Sequence, residues 1–289
     1  MLNCLLSIFV LLTSATAFAN GVIPIQTFIV SPQNNSLIAA PERFESSPGS
    51  PPLNTDDTGV PGLHGYEINF ITDCDHFQTG RSCESGIDAA FGIGHNVQFR
   101  ISKSRVQEAA DGEHTFNGNG PTDAGFKYRF FQKGSWQMAT FPSFNFDDGT
   151  RHHNADGSVV APDGRSVYLP LIVTKDFNIG DAAYTVAGNI AYRKNLVTSN
   201  NDSTFTSIAL GRGLSQTSRI MAEYSRDCNS RLNLCRQDVR VGWIKVIFPN
   251  DASKYETALF TSVGVGEDYD GTKHETLLVG LSVARKPDQ

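Results

Sequence analysis

The chain has 289 residues, of which 39% are hydrophobic, and its formal net charge is −6. This mild negative charge argues against nucleic acid as a partner, because nucleic-acid binding depends on basic surfaces. The length is enough to bury a full core, and an all-β chain of this size remains one domain. Its 26 glycines and 19 phenylalanines suit strands broken by turns better than helices.

The first 19 residues carry the features of an export signal. An apolar run from Leu5 to Leu12 is followed by Ala17-Phe18-Ala19, which has the small-residue pattern of a cleavage site. We predict a signal peptide over residues 1–19; the alternative is a short core helix or an anchor. No later stretch reaches the roughly 18 to 20 apolar residues that a membrane helix needs, so a mature membrane protein would have to be a closed barrel.

Residues 20–63 are rich in Pro, Ser, Asn and Gly and have few periodic apolar positions. This composition predicts an extended periplasmic leader. The alternative is that the segment enters the lumen of a barrel.

Apolar and polar residues begin to alternate near His64, and the pattern recurs along the chain. In the clearest case Phe126, Tyr128 and Phe130 alternate with charged or small residues, and residues 133–135 break the pattern before a second strand. Period-two alternation sends successive side chains to opposite faces of a strand, and two such runs around a short break predict a hairpin.

About twelve such strands are predicted, and short and long connections alternate between them. This predicts an all-β fold over residues 64–285: a transmembrane antiparallel up-and-down β-barrel with short periplasmic turns and long external loops, followed by a tail at 286–289. The expected location is the outer membrane of a Gram-negative cell, with outer-membrane lipid and the barrel-assembly machinery as partners. The predicted turns are 95–96, 133–135, 179–181, 216–217 and 250–253, and the long connections include 107–121, 148–165, 195–203 and 267–273.

Lys175 and Lys245 share the parity of the apolar face, which would turn them toward lipid. A lysine costs little there only near an interface, where its amine can reach water. We therefore expect both near the periplasmic interface; a β-bulge is the alternative.

Four cysteines remain once Cys4 is removed with the signal peptide. An even number in an exported chain favours disulfides. Three connectivities are open, and the close spacings favour Cys74 with Cys83 and Cys228 with Cys235. Both pairs are predicted in external loops. A zinc site is disfavoured because neither pair has the C-x-x-C spacing.

The polar parity of the predicted strands would line the lumen. Such residues could form a polar channel whose charges set selectivity, or a salt-bridged interior that closes a narrow barrel. The predicted lumen residues are Glu67, Asn69, Asp88, Gln98, Arg100, Lys127, Arg129, Asn145, Thr185, Asn189, Arg193, Arg219 and Glu223.

Several segments resemble the outer-membrane transporter family named for the meta-pathway of phenol degradation. They include DTGVPGLHGYEINF at 57–70, GIGHNVQFR at 92–100, TDAGFKYRFF at 122–131, FPSFNF at 141–146, LPLIVTKDF at 169–177 and the closing LLVGLSVAR. The resemblance covers roughly residues 64–285. It implies an outer-membrane barrel for passive passage of small molecules, aromatic or hydrophobic ones among them.

Two other classes of function remain open. One is a barrel enzyme, in which His152-His153 would join Asp147, Asp148 and Asp156 in a metal or hydrolytic site; adjacent histidines in a Gly-Asp-rich loop are usually solvated, and the chain has no G-x-S-x-G or H-E-x-x-H motif. The other is a secreted soluble β-sandwich that binds a ligand. We expect no catalytic residues, no metal site and no cofactor.

Overall fold

The structure is a computed structural model that describes residues 53–78, 80–110, 116–146, 152–153, 159–160, 165–197, 202–247 and 255–285. The predicted signal peptide, most of the predicted leader and the tail lie outside these ranges. Over the described ranges, no helix is long and apolar enough to cross a membrane.

Thirteen strands form one sheet and two short ones form a separate hairpin. β5 and β6 are two halves of one barrel strand, which is interrupted at Phe141 and Pro142. The strands are β1 (Tyr66–Phe77), β2 (Gly80–Gly92), β3 (Val97–Ala110), β4 (Phe116–Lys133), β5 (Trp136–Thr140), β6 (Ser143–Phe146), β7 (His152–His153), β8 (Val159–Val160), β9 (Ser166–Ile179), β10 (Ala182–Asn195), β11 (Ser203–Ser215), β12 (Ser218–Asn229), β13 (Cys235–Val246), β14 (Tyr255–Glu267) and β15 (Lys273–Arg285).

The sheet closes on itself. Each barrel strand pairs antiparallel with its neighbours in the chain, and β1 pairs with β15 from Tyr66 opposite Arg285 to Phe77 opposite His274. With β5 and β6 counted as one strand, the result is a closed up-and-down barrel of twelve strands. The fold prediction is therefore confirmed.

The connections at one end of the barrel are tight, as predicted. β2 joins β3, β4 joins β5, β9 joins β10 and β11 joins β12 through two to four residues each. We call this the short-turn end and the opposite one the long-loop end. The predicted turn at 250–253 lies outside the described residues.

Two predicted long connections at the other end are wrong. β1 and β2 continue until only two residues separate them, and β3 and β4 extend through most of 107–121. The prediction that both cysteine pairs lie in loops is also wrong, because Cys74, Cys83, Cys228 and Cys235 all lie within strands. The physical reason is that a strand beyond the lipid meets water on both faces, so its hydrophobic alternation fades although its ladder of backbone hydrogen bonds continues.

The outward face is apolar through the middle of the barrel. Phe126 on β4 and Ile190 on β10 are each more than half exposed, and other large apolar side chains surround the barrel in the same way. Apolar side chains exposed in such a band are typical of the lipid-facing surface of an outer-membrane barrel.

Lys175 and Lys245 lie at the short-turn end of this surface. The Nζ atom of Lys175 lies 4.7 Å from the ring centroid of Trp136. Lys245 donates a hydrogen bond of 2.8 Å to Thr217 Oγ1, in the turn between β11 and β12. Strand pairing shows no register shift at either lysine, so the bulge alternative is wrong. Both lysines lie toward the end of the barrel that the prediction assigned to them.

The barrel wall has one irregular place beside β9. β5 pairs with β9 as far as Thr140 opposite Leu171, and β6 resumes the pairing at Ser143 opposite Tyr168. Pro142 and Pro170 lie between these pairs and have no N–H to contribute to the ladder. A groove of about 410 Å³ lies beside Pro170, and its lining includes Leu169, Leu171 and Ile190.

Candidate functional site: a charged lumen with an internal plug

Residues 53–58 lie inside the barrel, and we call them the plug segment. Leu53, Thr55, Asp56 and Thr58 are buried. The predicted periplasmic leader would extend away from the barrel, and these residues do not. Residues 53–58 instead enter the lumen, which was the alternative prediction. The rest of the predicted leader before residue 53 lies outside the described residues.

Hydrogen bonds fix the plug segment to two sides of the wall. The Glu223 carboxylate on β12 accepts bonds from the backbone N–H groups of Asn54, at 3.0 Å, and Thr55. Thr58 donates from its hydroxyl to Gln137 Oε1 at 3.0 Å and from its N–H to Thr174 Oγ1 at 3.3 Å. These hydrogen bonds fix the position of the plug segment within the lumen.

Charge pairing adds to these bonds. Arg100 contacts Asp88 at 2.7 Å and Asp56 of the plug segment at 3.2 Å. Lys127 has a fully buried side chain; it donates to the Asp57 carbonyl oxygen at 2.9 Å and lies 3.8 Å from the carboxylates of Asp56 and Asp57. Because a buried charge is costly unless it is paired, the partners that the plug segment adds stabilise these two cations of the wall.

The structure places the predicted lumen residues as follows. Seven of them are buried on the inward face: Glu67, Asn69, Asp88, Gln98, Lys127, Asn189 and Glu223. Ser282 Oγ donates to Glu67 at 3.2 Å. The side chain of Arg219 is partly buried on β12.

The remaining predicted residues form local pairs. Arg129 donates to Asn96 Oδ1 and Gln137 Oε1 at the short-turn end, and Thr185 donates to Asp176 at 2.7 Å. Asn145 donates to Asp123 at 3.0 Å. Arg193 lies 3.6 Å from Asp227, and its side chain is 47% exposed.

A polar cavity of about 460 Å³ lies between the plug segment and the long-loop end, and we call it the vestibule. Its lining includes Asn54 of the plug segment and the aromatic rings of Tyr168 and Phe205. Five carboxylates and three guanidinium groups dominate the lining, a formal excess of two negative charges: Asp73, Asp75, Glu84, Asp227, Asp238, Arg193, Arg236 and Arg240.

Two arginines span one side of the vestibule. From β13, Arg240 reaches Asp73 on β1 at 2.8 Å. Arg236 reaches Asp75 on β1 at 2.9 Å and also contacts Asp238 at 3.2 Å, which in turn contacts His274 at 2.7 Å. These pairs link β13 to β1 across the two strands between them, so they fix the shape of the vestibule wall.

Glycines on β14 make room for these long side chains. A Cβ added at Gly264 would lie 2.7 Å from Arg240 Cγ, and one at Gly266 would lie 2.5 Å from Asp238 Oδ1. Both distances are shorter than the van der Waals contact distance between a Cβ atom and a non-bonded carbon or oxygen atom. The glycines therefore permit the crossing of β14, a role that depends on close approach rather than on backbone conformation.

The sequence prediction missed most of the vestibule, since only Arg193 of its charged residues was predicted. The alternation of inward and outward side chains could have identified these residues. Asp73 and Asp75 continue the inward-facing series of Glu67 and Asn69 on β1, and Asp227 continues that of Glu223 on β12. Extending the period-two pattern past the apolar part of each strand would have found them.

Both favoured disulfides are confirmed. Cys74 is bonded to Cys83 and Cys228 to Cys235, each directly opposite its partner on paired strands. Because neighbours in a strand face opposite ways and Asp73 and Asp75 line the vestibule, Cys74 lies on the outer face. Each bond therefore joins the strands that carry vestibule residues without entering the cavity.

Within the described ranges, no group of three or more His, Cys, Asp or Glu side chains is placed to hold a metal ion. The alternative site at His152-His153 depends on Asp147, Asp148 and Asp156, which lie outside the described residues. The two histidines form the short strand β7, paired with β8.

No protein-family model matches the chain, and no curated protein matches it. Among solved structures it is similar to the COG4313 outer membrane channel from Pseudomonas putida F1, at 10% identity and a TM-score of 0.54, over 78% of this chain and 96% of that one. It is also similar to the β domain of the Bordetella autotransporter BrkA, at 11% identity and a TM-score of 0.52, over 77% of this chain and 99% of that one. At these identities the likeness shows the fold alone, which is that of outer-membrane β-barrels.

Proposed function

We propose that this protein is an outer-membrane channel for the passive passage of small molecules, and that the plug segment narrows its lumen. The observation that carries the proposal is a closed barrel with an apolar exterior and a charged interior that contains a cavity of about 460 Å³. The fold shared with an outer-membrane channel and the resemblance to the meta-pathway transporter family support the same proposal.

The same proposal includes the location of the protein and its partners. Residues 1–19 would direct export and be removed, and the barrel-assembly machinery would insert the barrel into outer-membrane lipid. The exposed apolar band supports this placement, because such a surface is stable only when lipid or detergent covers it.

The lining favours polar solutes in the lumen. Charged groups dominate the vestibule, and Arg100, Lys127 and Asp88 form the wall beside the plug segment. An apolar molecule would gain little there and would have to displace water from the charges. We therefore infer that small polar molecules are the solutes that use this route.

The test is to purify the mature chain in detergent, add it to a planar bilayer and compare it with a variant that lacks residues 53–58. We expect both proteins to shift in gel mobility on boiling, as folded barrels do, and the deletion variant to give larger and more frequent current steps. A folded deletion variant that conducts no better than the intact chain would contradict the role of the plug segment. A soluble protein that needs no detergent would contradict the membrane proposal.

A second candidate is passage of hydrophobic molecules, the class that the family resemblance implies. The observation that favours it is the apolar groove beside Pro170, where the ladder between β9 and its neighbour is interrupted. Substituting Leu169 with Trp would fill this groove from the outside. Slower uptake of a hydrophobic solute by this variant, with unchanged ion conductance, would favour the second candidate over passage through the lumen alone.

A further inference from the structure

We propose that the vestibule is a binding site for small organic cations that carry an ammonium group. This inference rests on the proposed function, because it names the class of solute that would use the channel. It follows from the charge, exposure and aromatic lining of the cavity.

The acidic side of the vestibule has more charge than its own arginines can neutralise. Asp73 on β1 lies directly opposite Glu84 on β2, and both carboxylates line the cavity. Like charges opposite each other on paired strands are destabilising. Arg240 pairs with Asp73, but Glu84 makes no ion pair within the part of the chain that the structure describes. A cation in the vestibule would relieve this repulsion.

Glu84 is also the accessible member of the group. Its side chain is exposed to the cavity, whereas Arg236 and Arg240 are engaged with Asp75, Asp238 and Asp73. Both arginines are therefore paired with carboxylates of the barrel wall, whereas Glu84 faces the space that a solute would enter.

Aromatic rings complete the site. Tyr168 and Phe205 line the same cavity, and the guanidinium carbon of Arg193 lies 5.7 Å from the ring centroid of Tyr168. An aromatic face that accepts a guanidinium can also accept an ammonium group. Since the Arg193 side chain is half exposed, a competing cation can reach this ring.

The size and the donor set point to an organic cation rather than a metal ion. A volume of about 460 Å³ lies in the range of small-molecule sites. No group of three or more acidic, His or Cys side chains in the described ranges is arranged for a metal. An ammonium group on an apolar body matches both the carboxylates and the rings.

The experiment is calorimetric titration of the full mature chain in detergent with phenethylammonium, and with 3-phenylpropionate as a probe of similar shape and opposite charge. We expect the cation to bind and the anion to bind at least tenfold more weakly. Glu84→Gln should weaken binding of the cation about five- to tenfold, because it removes a carboxylate near the ammonium group. Arg193→Gln should strengthen it, because it removes the competing cation.

Glu275→Gln is the matched control, since it removes the same charge near the same end of the barrel. Glu275 is exposed on the outward face of β15, so its loss should change the affinity less than twofold. Equal binding of the two probes, or equal effects of Glu84→Gln and Glu275→Gln, would overturn the inference.

Conductance distinguishes this inference from the proposed function. Current through the bilayer without selective binding of phenethylammonium would leave the channel in place and refute the vestibule site. Selective binding that depends on Glu84, in a barrel that never conducts even without residues 53–58, would support the site and refute the channel.

Discussion

A substitution of Glu223 can weaken the binding of the plug segment to the barrel wall with little change in side-chain shape. Its buried carboxylate accepts hydrogen bonds from two successive backbone N–H groups, those of Asn54 and Thr55. In Glu223→Gln the side chain keeps its size but loses its charge, and its NH₂ group faces one of the two N–H donors. We expect the plug segment to leave its place in the lumen more often in this variant.

The size of the effect follows from these two bonds. A hydrogen bond to a charged group contributes about 1.5 to 3 kcal/mol, so losing one bond and weakening the other costs about 3 kcal/mol. Because each 1.4 kcal/mol is a factor of ten, the ratio of released to seated plug segment should rise about a hundredfold. The quantity to measure is the open fraction of single channels in a planar bilayer.

Ser225→Ala is the control, because Ser225 lies two residues along the same strand and makes one long bond of 3.4 Å to Asn54. A neutral hydrogen bond contributes about 1 kcal/mol, and one as long as this contributes less, so the open fraction should change less than tenfold. The reasoning is refuted if Glu223→Gln and Ser225→Ala have the same open fraction while deletion of residues 53–58 opens the channel.

Three further predictions concern the barrel itself. Leu171→Arg, at the middle of the lipid-facing surface of β9, should lower the free energy of unfolding of the barrel by about 2 to 4 kcal/mol. Ile179→Arg, at the short-turn end, should lower it by about 1 kcal/mol or less. Urea unfolding in lipid vesicles measures both values. Lys127→Met should cost about 3 kcal/mol in the same assay, because it removes the buried ammonium group that lies 3.8 Å from the carboxylates of both Asp56 and Asp57. The cost should vanish when residues 53–58 are also deleted. Replacing Cys74 and Cys83 by Ser should lower stability by about 2.5 kcal/mol and leave the boiling-dependent gel shift intact, because the bond closes a short hairpin that the sheet already holds together.

The sequence was sufficient to predict the barrel because its signals are local. Alternation with period two assigns each residue to a face without knowledge of any other strand, and the tight turns separate the strands. Glu67, Gln98 and Lys127 were placed in the lumen on parity alone, and all three are buried there. Pairing of the cysteines likewise followed from their short spacing.

The plug segment could not be predicted in the same way. It has no periodic pattern, and its partners are distant in the sequence: 168 residues separate Thr55 from Glu223, and 44 separate Asp56 from Arg100. The strand ends were underestimated for a different reason. Beyond the lipid a strand has no apolar face, so Cys74 and Asp75 resemble loop residues although the backbone ladder continues through them.

The position of the plug segment affects selectivity as well as conductance. When it is seated, Asp56 and Asp57 face Arg100 and Lys127, so the charges at this level are largely paired. Withdrawal would remove the carboxylates of Asp56 and Asp57 from beside Lys127, and that of Asp56 from beside Arg100, which would keep Asp88. The opened lumen would then favour anions at this level, below a vestibule with excess negative charge. We therefore expect the intact chain to prefer cations. Deletion of residues 53–58 should increase the conductance and shift the reversal potential, measured in a salt gradient, toward anion selectivity. A deletion variant that conducts more but has an unchanged reversal potential would show that the plug segment blocks the lumen without affecting its ion selectivity.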